Sequence, residues 1–179
     1  MANVNPQRSV LQKPVRARFI AGSLILALVL NLLPWNGTIV LLWPDIMAMV
    51  LLYWSIHQPR RVGLSVAWIF GLLMDIADGV LFGQHALAYV VMAYTAYFLH
   101  RRIQTFDLWQ QAFYVGGLML LMQGTMVLVR LAFGAAFPGA LYFGGSAAAA
   151  ALWPLLSLAL QGAQRHKPGS ESAYSSGSR

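Results

Sequence analysis

Apolar residues in this chain run in long blocks rather than in amphipathic stripes. Six blocks approach the roughly 20 residues that a helix needs to cross a bilayer core. They are Phe19 to Leu33, Gly37 to Ile56, Val62 to Phe82, Ala86 to Leu99, Ala112 to Phe133 and Leu141 to Leu160. The pattern predicts an all-α, polytopic membrane protein of six transmembrane helices spanning residues 19–160, with connections too short to hold an extramembrane domain. The first and fourth blocks are short, and Arg18 and Arg101 beside them extend their reach by snorkelling. The first ends in Leu32, Leu33, Pro34 and Trp35 without a small-x-small cleavage site, so it reads as a retained span rather than a signal peptide. Residues 1–18 form a basic N-terminal segment and residues 161–179 a polar tail, and both lack an apolar face and are expected to be mobile.

Composition supports the same solvent. Hydrophobic residues make up 59% of the chain and charged ones 9%, against about 25% charged in a soluble domain. That excludes an ordinary water-facing surface. The net charge of +7 raises the question of nucleic acid, which the placement of the cations answers. Arg8, Lys13, Arg16 and Arg18 precede the first block, Arg60 and Arg61 follow the second, Arg101 and Arg102 follow the fourth, and Arg165, Lys167 and Arg179 follow the sixth. The intervening connections, around Trp35, Gln84 and Pro138, carry no Lys or Arg. Alternation of this kind places both termini in the cytoplasm and the cations against anionic lipid headgroups, with no nucleic-acid partner. Trp35 and Phe137 on one side, and Trp54, Tyr97, Trp109 and Tyr114 on the other, mark the two interfaces as an aromatic belt does. Absence of cysteine excludes disulfides, thiolate nucleophiles and Cys-ligated metal, and no cofactor is expected.

The third block holds the clearest internal pattern. Gly63, Ala67, Gly71, Asp75, Gly79 and Gly83 recur every fourth residue, a small-residue row that suits close packing of a partner helix. Asp75 and Asp78 lie on neighbouring parts of that helix. Counting about 1.5 Å per residue puts Asp45 and Asp75 roughly 12 Å, and Arg130 about 8 Å, below the outer surface. An Arg130 ion pair with Asp75 or Asp78 is therefore geometrically allowed and would satisfy the buried charges. Intramembrane charge is either functional or a structural pair fixing helix order, and the pattern leaves both open. A catalytic or metal site is disfavoured, since D-x-x-D is a weak motif and no His joins it by spacing. His57 and His100 read as headgroup contacts and His85 as a solvated residue of the outer turn. Pro44 should kink the second span near Asp45, and Pro154 the sixth.

Several of these segments together resemble the MreD family of rod shape-determining proteins. The likeness runs through Pro44-Asp45 to Tyr53-Trp54, Pro59, Gly71-Leu72-Leu73-Met74-Asp75, Gly79, Leu81-Phe82-Gly83, His85-Ala86-Leu87 and Tyr94. It continues in Leu108-Trp109-Gln110-Gln111 and Leu152-Trp153-Pro154. Trp43 stands where the family often has Arg, so any role of a cation there is lost or altered, and Asp75 fits the family pattern better than Asp78 or Arg130. The resemblance implies a non-enzymatic, multi-pass component of the bacterial inner membrane that scaffolds side-wall peptidoglycan synthesis. Implied partners are MreC above all, with MreB, RodA and its penicillin-binding transpeptidase in the wider complex, alongside membrane lipids. It also implies a six-helix arrangement similar to the substrate-binding subunits of vitamin transporters. The competing reading is a small-solute or lipid-intermediate binder built on Asp75, Asp78 and Arg130.

Overall fold

The computed structural model describes residues 15–33 and 43–165. Among these the chain is all-helical: α1 (Ala17–Asn31), α2 (Ile46–His57), α3 (Leu64–Asp78), α4 (Gln84–Gln104), α5 (Leu108–Ala132), a 3₁₀ turn at Ala140–Phe143, and α6 (Gly144–Arg165). Each apolar block yields one helix, but the ends differ from expectation. The α4 helix continues through Arg101 and Arg102 to Gln104, which removes the apparent shortness of the fourth block. The helix expected over Val62 to Phe82 stops at Asp78, where Gly79 takes φ of 60°. Residues 161–165 continue α6 instead of belonging to a tail, while 1–14, 34–42 and 166–179 lie outside the described residues.

Pro44 does not kink a helix. It precedes α2, and Asp45 is the N-cap, its side chain accepting from the Ala48 amide at 2.8 Å. A proline at this place loses no helical hydrogen bond, and Asp is a favoured cap. Pro154 lies inside α6, as expected. With 12 residues, α2 is roughly 18 Å long and is buried from Met47 through Ile56. It touches α1, α4, α5 and α6, while α3 packs on α4, α4 on α5 and α5 on α6. The short apolar helix thus forms the core around which the longer ones stand.

One end of this bundle is basic. Arg61 Nη1 donates to the Val15 carbonyl and Gln104 Nε2 to that of Ile56, which brings together the start of α1, the α2–α3 connection and the end of α4. Arg16, Arg18, Arg60, Arg61, Arg101 and Arg102 therefore share that end. Between the ends the outer surface is apolar: Leu26, Ile76, Phe98, Phe113, Leu128 and Leu155 are all exposed, far beyond the patches a water-soluble monomer tolerates. The segments Leu108–Ala132 and Ala140–Gln164 are each long and apolar enough to cross a membrane.

Candidate functional site

The opposite end holds a connected polar cluster, and Asp75 is its hub. Gly79 and Gly83, at φ of 60° and 99°, occupy the left-handed region that only glycine enters freely, and they reverse the chain between α3 and α4. That reversal lays the start of α4 over Asp75. The carboxylate accepts from the amides of Gly83 at 2.8 Å, His85 at 2.7 Å and Ala86 at 3.4 Å. It therefore serves as N-cap of α4 from the neighbouring helix, satisfying donors that a helix start otherwise leaves unpaired. The Asp75 carbonyl meanwhile accepts from the Gly79 and Val80 amides. A single residue both closes α3 and opens α4.

His85 completes the cluster. Its Nδ1 lies 3.0 Å from Asp75 Oδ1 and its Nε2 3.4 Å from Asp78 Oδ2. Because Asp75 is surrounded by donors, Nδ1 carries the hydrogen toward it, which leaves Nε2 facing the second carboxylate. His85 is thus buried between two carboxylates, not solvated in a turn. The ion pair allowed between Arg130 and Asp75 or Asp78 is absent among the described residues, and His85 takes its place.

A third acid joins from the other side. Asp45 Oδ2 accepts from the Tyr89 hydroxyl at 2.6 Å and Oδ1 from Asn31 Nδ2 at 3.3 Å, while Asn31 Oδ1 accepts from the Ile46 amide at 3.1 Å. Tyr89 stands one turn after His85, and the two rings meet edge to face at 6.0 Å between centroids. The cluster consequently ties together the end of α1, the start of α2 and the α3–α4 reversal. Tyr89→Phe is expected to cost about 2 kcal/mol, because the half-buried Asp45 loses its closest donor; unfolding of the purified protein in mixed micelles measures it, and an unchanged midpoint contradicts the assignment.

The small-residue row divides in two. Ala67, Gly71 and Asp75 are buried, and a methyl group on Gly71 would lie 2.4 Å from Ala86 Cα. The helix this position receives is α4 of the same chain, which corrects the expectation of a groove open to a partner. Gly79 and Gly83 belong to the reversal and not to a helical row. At Gly63 an added Cβ meets nothing within 4 Å.

Sequence reading also missed Asn31 and Tyr89. The four-residue spacing of His85 and Tyr89 on α4 was the available signal. Chemically the site is a set of caps: the oxygens of Asp45 and Asp75 are engaged by amides and buried side chains. No group of three or more His, Cys, Asp or Glu suited to a metal ion occurs among the described residues.

A family profile described as rod shape-determining protein MreD matches residues 15–162. A curated relative, the rod shape-determining protein MreD of Haemophilus influenzae, is 27% identical over 146 residues, which cover 82% of this chain and 90% of that protein. No solved structure matches.

Proposed function

The chain belongs to the MreD family of rod shape-determining proteins, and from that membership we propose that it is a non-enzymatic scaffold of rod-shape maintenance in the bacterial inner membrane. In this reading six spans hold both termini in the cytoplasm, and the bundle gathers MreC with the side-wall peptidoglycan machinery: MreB, RodA and its penicillin-binding transpeptidase. The observation that carries it is the extent of the match, residues 15–162, which takes in nearly all of the helical bundle. Segregation of six arginines to one end and of the Asp75–His85–Asp45 cluster to the other supports the orientation. The engagement of Asp45 and Asp75 as caps favours a structural over a catalytic use of them.

Removal of the gene from its own host is expected to turn rods into rounded cells, measured as axial ratio. Affinity capture of the tagged chain from solubilised membranes is expected to retrieve MreC. Rods retained after verified loss of the protein overturn the shape-maintenance role, and capture that never brings MreC overturns the scaffold. Reporter fusions at both ends, active only in the cytoplasm, check the orientation separately.

A further inference from the structure

A slot of about 220 Å³ opens at the basic end between the α2–α3 connection and α4. Pro59, Gly63 and Leu64 form one wall and Ala93, Tyr97 and Phe98 the other. Its walls are almost wholly apolar. Such a space holds about seven water-sized groups at roughly 30 Å³ each, so it admits a length of hydrocarbon chain. Its volume is too small for another helix, whose diameter with side chains is about 10 Å or more.

Cations adjoin its lining residues along the chain. Arg60 directly follows Pro59, and Arg101 stands one helical turn beyond Tyr97. Both are exposed, and neither takes part in an ion pair among the described residues. Arg61, by contrast, is held by the Val15 carbonyl. Tyr97 and Phe98 are exposed at 54% and 63%, and a tyrosine ring, apolar with a polar hydroxyl end, suits the membrane–water interface. Arginine pairs with phosphate through its planar fork.

We propose that this slot is a binding site for an anionic phospholipid, with one acyl chain between Gly63 and Phe98 and the headgroup phosphate between Arg60 and Arg101. The site takes from the proposed topology only that these arginines lie at headgroup level, and it stands whether or not the protein gathers MreC. Gly63 then has a specific use, since its missing side chain leaves the entrance of the slot open.

The test uses the full chain in neutral detergent, with phosphatidylglycerol or phosphatidylcholine added, and native mass spectrometry counting the lipid that stays bound. One phosphatidylglycerol per chain is expected, retained in clear preference to phosphatidylcholine. Arg60→Gln and Arg101→Gln should each weaken that retention about fivefold. Gly63→Leu should abolish it, and since a Cβ there meets open space and φ is −96°, the backbone accommodates the change. Equal retention of the two lipids by the wild-type chain overturns the proposal, as does wild-type retention by Gly63→Leu. If Gly63→Leu fails to fold, the two arginine variants decide, and unchanged phosphatidylglycerol retention in both overturns the site.

Discussion

Replacing Gly71 by Ala is expected to destabilise the bundle by about 3 kcal/mol, read as a lowered unfolding midpoint in mixed micelles and as less protein in the membrane. One methyl group is a small change, and its cost comes from what it meets. The added Cβ lies 2.4 Å from Ala86 Cα, 2.6 Å from the Ala86 nitrogen and 2.8 Å from the His85 carbonyl carbon. All three are backbone atoms of the first turn of α4, so no side chain can rotate away and the two helices must separate. Separation there also lengthens the contacts of Asp75 with the His85 and Ala86 amides, so the packing and the cap fail together. Gly117→Ala in α5 is the control: its Cβ meets nothing within 4 Å, and Ala is favoured over Gly within a helix by about 1 kcal/mol. The two substitutions should therefore move the midpoint in opposite directions. Equal effects would show that close approach of α3 and α4 is not what Gly71 provides.

Gly71 also shows where sequence reading succeeded and where it stopped. Number and order of the helices among the described residues were legible because six apolar blocks, two of them short, are set apart by connections that carry cations, glycine or proline. The small-residue row was legible too, since a four-residue period marks one side of a helix. Its extent was not: Gly79 and Gly83 continue the same period while serving a chain reversal, and spacing cannot distinguish a helical glycine from one at positive φ. Pro44 and Asp45 together form a helix-start signal, but they sit inside an apolar block whose length argued for a continuous span. Counting residues from the nearest connection put Asp45 and Asp75 at a similar distance, and both belong to the polar cluster at one end of the bundle. Residue counting says nothing about direction around the helix axis, and so it points to Arg130 as the partner of Asp75 where His85, brought back by the reversal, stands instead.

Asp75→Ala is the more severe test of the polar cluster. The carboxylate is 1% exposed and accepts three amides and the His85 ring nitrogen, so its removal strands donors at the start of α4 in a place water reaches poorly. Each buried unpaired donor costs about 1–3 kcal/mol, partly recovered by relaxation, which puts the expected loss at about 4 kcal/mol. Asp75→Asn should lose about half of that: its carbonyl oxygen still accepts, but its amide group points hydrogens at donors. Hydrogen exchange locates the damage, with amides at Gly83, His85 and Ala86 opening first and those of α5 keeping their protection. A carboxylate held for a ligand would behave differently. Neutralising it would leave the fold at wild-type stability, or raise it by relieving the burial of charge among acids, and would remove only the ligand's effect. Wild-type melting of Asp75→Ala thus overturns the cap assignment, whereas graded loss from Asn to Ala, with Asp78→Asn nearly silent because that side chain is 44% exposed, identifies Asp75 as the fastening between α3 and α4.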